Sequence, residues 1–178
     1  AFLPAGSAHT LLARTHGRAA QIVALSLGEG GARTYGTALV AREDGPTTLP
    51  ALKGKRLALS SFDSLSGHWV PARQLARAGV RLSDLAEVVW AGTHDKALAL
   101  LEGGQVDAAA TYDGALATFR RQHPTFRVRE LAVEQQLPNI VVAVRAGLEP
   151  DRRAALTTAL FGLGTDARAS EALNDLHA

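Results

Sequence analysis

The sequence predicts an α/β protein built as two lobes. Three observations carry that reading. Short apolar runs alternate with helix-patterned stretches along most of the chain, the mark of parallel strand–helix units. The 178 residues, 47% apolar and 20% charged, are enough for one domain with a sizeable core or for two small lobes. Two polar stretches, 41–46 and 133–139, break the pattern where the chain is expected to cross between lobes. Residues 46–137 then form the second lobe, and 1–45 with 138–178 form a discontinuous first lobe.

The elements follow in order. Ala1–Leu3 reads as the end of a strand, Ser7–Arg14 as a helix with Ser7 at its cap, and Gln21–Leu27 as a strand closed by the turn Gly28–Gly31. Tyr35–Ala41 is a second apolar run. Thr48–Leu52 is a short helix, and Lys53–Lys55 turns into the strand Arg56–Ser60. A hydroxyl-rich turn follows, then a helix carrying Trp69, Leu75, Ala76 and Val80. Pro71 cannot sit inside that helix without cost, so it must kink or restart it. Val88–Ala91 is a strand, and Thr93–Glu102 is an amphipathic helix stopped by Gly103-Gly104. Val106–Thr111 is a strand and Tyr112–Gln122 a helix. Arg127–Val133 and Asn139–Val144 are two more strands, and Pro150–Leu163 and Asp166–Leu176 are closing helices.

Composition narrows the function. Basic residues outnumber acidic ones by only 19 to 17, and they are scattered among few aromatics, so a nucleic-acid surface has little support. The chain has no cysteine, which removes disulfides, thiolate catalysis and cysteine-held metals. The six histidines lack metal-ligand spacing, so neither a metal nor another cofactor is expected. No apolar run reaches membrane-spanning length. The chain does not begin with Met and shows no signal peptide, so it is expected to start inside a longer gene product.

The turn Ser61-Phe62-Asp63-Ser64-Leu65-Ser66-Gly67 stands between a strand and a helix. A helix start presents backbone N–H groups without partners and the positive end of the macrodipole, and two hydroxyls lie at the same place. That suits an oxyanion such as phosphate. A serine that merely caps the helix fits the same segment, and the residues alone leave both readings open.

Three segments bear on that choice. They are Leu52-Lys53-Gly54-Lys55-Arg56-Leu57-Ala58, then Ser64-Leu65-Ser66-Gly67-His68-Trp69-Val70-Pro71, then Val89-Trp90-Ala91-Gly92-Thr93-His94-Asp95-Lys96-Ala97 continuing to Gly104-Gln105-Val106-Asp107-Ala108-Ala109-Ala110. Tyr35 precedes them and Pro138-Asn139-Ile140-Val141-Val142 follows. In this order and spacing they resemble the substrate-binding proteins of bacterial phosphonate, phosphite and phosphate-ester ABC importers.

The resemblance covers nearly the whole chain. It implies a periplasmic-binding-protein fold of the second type, two α/β lobes hinged around an anion cleft. It also implies that about a third of the mature protein precedes Ala1, leaving the first lobe incomplete and open to self-association. The expected ligand is a phosphonate, phosphite or related oxyanion, held without chemistry. The expected partners are the membrane subunits of an ABC transporter. The expected place is the periplasm or another extracytoplasmic site, with a lipid-anchored form as a variant.

The same resemblance assigns the site. Ser64 and Ser66 match the two serines that donate to the oxyanion, with Leu65 between them where the family has Thr. His94 matches the histidine opening the next helix. Tyr35 matches an aromatic residue on the strand before the crossover, and a core tyrosine is its competing reading. Tyr112, with Asp113 beside it, falls where a strand gives way to a helix on the cleft side. Asn139 falls where members that take an amine can carry an acid. Pro4-Ala5-Gly6-Ser7 matches a loop lining the first lobe.

A sensor domain of a membrane kinase or transcription regulator is the alternative with the same fold. An enzyme is disfavoured. Asp63-Ser64-Leu65-Ser66-Gly67 lacks the leading Gly of a nucleophile elbow, and adjacent His94 and Asp95 are poorly placed for a triad.

Overall fold

Apolar alternation resolves into two sheets. A computed structural model of the chain describes residues 2–3, 20–28 and 31–163. The strands are β1 (Phe2–Leu3), β2 (Ala20–Leu25), β3 (Thr34–Arg42), β4 (Arg56–Leu59), β5 (Glu87–Trp90), β6 (Ala108–Tyr112), β7 (Val128–Pro138) and β8 (Val141–Arg145). The helices are α1 (Val70–Arg77), α2 (His94–Glu102), α3 (Asp113–Gln122) and α4 (Pro150–Leu163). The helix expected over 7–14, the loop 4–7 and the helix expected over 166–176 lie outside the described residues.

The larger sheet has the order β5-β4-β6-β3-β7. Its strands β5, β4 and β6 are parallel, and β3 runs antiparallel to both β6 and β7. Side chains alternate across a strand, and here both faces are covered. Ala38, Val40, Ala58 and Ala109 point to one face and pack under α2 and α3 with Leu98, Leu101, Leu116 and Phe119. Leu39, Ala41, Leu57, Leu59, Ala108 and Ala110 point to the other and pack with Leu52, Leu75 and Val80. Each fully buried leucine contributes about 1.5–3 kcal/mol by leaving water.

The smaller sheet has the order β1-β8-β2, all pairs antiparallel. Strands from both ends of the sequence therefore pair with each other. Residues 34–45, however, were expected in that lobe with a boundary after 45. The pairing puts β3 instead in the middle of the larger sheet, between β6 and β7. The chain thus passes from one sheet to the other after β2, rather than at 41–46. The polar loop 43–46 is only the turn that leaves β3.

The two crossings run side by side. Ser26 N–H donates to the Ile140 carbonyl (2.8 Å), and Asn139 N–H donates to the Arg33 carbonyl (3.4 Å). β3 and β7 stay paired up to Thr34 and Pro138. β7 is longer than its sequence suggested, because it continues as this partner strand. Its register shifts against β3 between Tyr35 and Thr37. There Gln136 takes φ 65°, and a Cβ on Gly36 would come within 2.5 Å of the Gln135 amide.

Candidate functional site

The carboxyl ends of parallel strands are where open α/β sheets bind ligands, because the loops there diverge and the following helices point their N-termini inward. Four segments meet at that end of the larger sheet: the turn after β4, the start of α2 after β5, the β6–α3 junction, and the beginning of β3. Antiparallel pairing brings the last of these in, setting Thr37 opposite Tyr112.

The turn after β4 is a single π turn, Leu65–Trp69, running directly into α1. Ser64 is its cap, with Oγ accepting from Gly67 N–H (2.9 Å). A hydroxyl that accepts in this way keeps its own proton to donate. Pro71 lies in the first turn of α1, where no N–H is required, so it restarts the helix. The wider π turn leaves the N–H groups at its start, including that of Leu65, without partners inside the helix.

Ser66 is buried at 3% exposure, and its carbonyl accepts from Thr37 Oγ1 (2.8 Å). Thr37 Oγ1 is shared with the Thr111 carbonyl (2.9 Å). This one threonine locks the turn to β3 and β6. The Ser66 side chain hydrogen-bonds Tyr35, which opposes the upward push of burial on the phenol. Burial dominates, and with the charges of Asp113 and Tyr112 it leaves the Tyr35 pKa raised.

His94 opens α2, whose cap is Thr93, with Oγ1 accepting from Lys96 N–H (3.2 Å). Burial pushes its pKa down to about 4, against the opposing pull of Asp95 and the Ala110 backbone. The ring is therefore neutral at pH 7. It packs edge-on to Tyr112 (4.9 Å between centroids), and Tyr112 packs edge-on to Tyr35 (6.0 Å). Burial, then Asp95 and Asp113, raise the Tyr112 pKa. The three rings and the serine turn thus line one place.

Gly67 is what permits the closeness. A Cβ there would lie 1.8 Å from Ser60 Oγ and 3.0 Å from His94 Cε1. Asp113 braces the same corner, with Oδ2 accepting from Gly36 N–H (2.8 Å) and Oδ1 from Gly114 N–H (2.8 Å).

Of the residues expected at the site, Tyr35, Ser64, Leu65, Ser66, His94 and Tyr112 come together. Asn139 does not join them. It lies in the second crossing, where its Nδ2 donates to the Ala32 carbonyl (2.8 Å). Ser60, Thr37 and Gly36 were not singled out from the sequence. No local motif marks them, because their roles come from partners far along the chain.

Next to the turn is a group of exposed aromatic residues: Phe62 at 67%, Trp69 at 38% and Trp90 at 46% exposure. They gather around buried His68, whose Nδ1–H donates to the Phe62 carbonyl (2.6 Å). Among the described residues no cluster of His, Asp and Glu could hold a metal.

Comparison with known proteins shows the family to which the chain belongs. Residues 2–178 match the family described as ABC transporter, phosphonate, periplasmic substrate-binding protein. No curated protein sequence matches. Among solved structures, XAC2383 from Xanthomonas citri, bound to ATP, is 26% identical with a TM-score of 0.79 over 96% of this chain and 66% of its own. A binding protein component of an ABC phosphonate transporter from Pseudomonas aeruginosa shares the fold at 18% identity and TM-score 0.74, over 98% of this chain and 60% of its own. PhnD1 from Prochlorococcus marinus, in complex with methylphosphonate, does so at 18% and 0.73, over 99% and 69%. A histidine kinase sensor domain also has the fold, at 20% identity and TM-score 0.53 over 88% and 62%. The chain spans just under two thirds of the length of the first two of these proteins. Members of the matched family are substrate-binding proteins rather than enzymes, and the fold is that of periplasmic binding proteins of the second type. The chain belongs to the phosphonate ABC-transporter periplasmic substrate-binding protein family.

Proposed function

We propose that the protein is the solute-binding component of an ABC importer and holds a phosphonate, phosphite or related phosphorus oxyanion between its lobes. The observation that carries this is the Ser64–Ser66 turn facing a half-buried, neutral His94. Ser64 and Ser66 hydroxyls, the free N–H groups at the start of the turn and one imidazole N–H all donate. Tyr35 and Tyr112 keep their protons and can donate as well. No cation lies in this set. Neutral donors in a drying cleft select an oxyanion by number and direction of hydrogen bonds.

Asn139 is a hinge residue in this reading. The lobes hinge about the connections after β2 and β7, and the closed form prevails because it binds the anion more tightly. The work is capture and delivery to membrane subunits outside the cytoplasm. The exposed rings of Phe62, Trp69 and Trp90 offer an apolar wall to a substituent on phosphorus. ATP in the Xanthomonas citri protein supports including phosphate esters.

The test is calorimetric titration of the protein with phosphite, inorganic phosphate, methylphosphonate and ATP. Saturable binding of at least one is expected, and binding of none would overturn the reading. The second reading is a sensor, favoured by the histidine kinase sensor domain that shares the fold. A gene that continues into a kinase or a DNA-binding segment would establish it.

A further inference from the structure

Two buried polar atoms at the site lack hydrogen-bond partners among the described residues: Ser60 Oγ and His94 Nδ1. Ser60 is 2% exposed, so its hydroxyl has no recourse to bulk water. An unpaired buried group costs about 1–3 kcal/mol, so two such groups in one place need a reason. They do share one place. Both side chains press on Gly67, and the distances from its Cβ position put Ser60 Oγ within about 5 Å of His94 Cε1. The ring carbon in question is bonded to Nδ1.

A neutral imidazole has one donor and one acceptor, and the bond made by one nitrogen decides which role the other takes. For His94 to donate to an oxyanion through Nε2, its Nδ1 must be the acceptor. The Ala110 carbonyl hydrogen-bonds the ring, and because Nδ1 has no partner that bond falls to Nε2–H, which a bound oxyanion shares or takes over. A hydroxyl donating to Nδ1 supports the same tautomer. We propose that Ser60 is a positioning residue that donates its Oγ–H to His94 Nδ1, fixing the tautomer that presents Nε2–H to the bound oxyanion. Gly67 keeps the path open, because any side chain there would fill the gap between the two groups. The role of Ser60 toward the ligand rests on the oxyanion reading above; its pairing with His94 does not.

Long-range 1H–15N correlation spectra of the imidazoles test this, with the His94 signal assigned by its loss in His94→Gln. Wild type should show a protonated Nε2 and a pyridine-like Nδ1. Ser60→Ala should shift His94 toward a mixture or to the Nδ1–H form. It should also weaken methylphosphonate or inorganic phosphate binding about tenfold. In a His94→Gln background the same serine change should cost almost nothing. An unchanged tautomer in Ser60→Ala would overturn the proposal, as would an equal affinity loss in both backgrounds. A tautomer shift in a protein that binds none of the anions would overturn the oxyanion reading and leave the Ser60–His94 pairing standing.

Discussion

The two sheets solve the same problem to different degrees. The five-stranded sheet is covered on both faces, and its core leucines Leu39, Leu57, Leu59, Leu98 and Leu101 are fully buried. The three-stranded sheet buries β8, yet α4 beside it has no buried residue. Ile22, Leu25, Leu27, Leu156, Phe161 and Leu163 stay exposed at 37–67%. A groove of about 650 Å3 also lies there, between β2 and α4. The region that carries the serine turn completes its own core, whereas the region around the smaller sheet leaves apolar surface exposed among the described residues. Longer relatives have additional chain with which to cover such a surface.

The contrast can be broken most directly by measuring mass in solution. Uncovered apolar surface of this kind tends to find a partner. The 178-residue chain should self-associate through the β2–α4 face, and Ile22→Lys with Phe161→Ser should return it to a monomer in light scattering. A wild-type monomer at all concentrations would refute that. Next in size is a pair of truncations. Leu98→Ala, in the larger core, should lower stability by about 2–5 kcal/mol in urea unfolding. Leu156→Ala, already 38% exposed, should cost under about 1 kcal/mol. Equal losses would erase the distinction between the regions.

His94 provides the third comparison. Its folded-state pKa, about 4, lies below the ordinary 6.5 because burial disfavours the cation. The unfolded chain therefore binds the proton first as pH falls. The stability held above pH 6.5 is lost as pH drops toward 4, by roughly 3 kcal/mol in full. His94→Gln should flatten that slope in urea midpoints taken between pH 4 and 7. A slope as steep as wild type would place the acid-sensitive group elsewhere. Smallest is Ser66→Ala, expected to weaken oxyanion binding by about 1–3 kcal/mol in calorimetry while leaving the core intact. Unchanged affinity would remove Ser66 from the site.

Much of this was legible along the chain. Strand and helix positions follow from alternation, Pro71 marked a helix restart, and the order of the three motif segments pointed to the serine turn and His94. Each of these is a local pattern, set by backbone geometry within a few residues. The sheet that β3 joins was not legible. β3 reads as an apolar strand whichever sheet it joins, and only its pairing with residues 108–112 and 128–138 decides. The hydrogen bond from Asn139 to the Ala32 carbonyl, over a hundred residues earlier, had no local signal either.

The sequence by itself determined the fold class, most elements and the place of the serine turn between a strand and a helix, because periodicity, caps and motif spacing are short-range properties. Tertiary structure decided which strands share a sheet, that Thr37 anchors Ser66, and that Ser60 and His94 meet across Gly67. Those contacts join residues distant in the chain, and no local preference encodes which distant side chain will fill a given space.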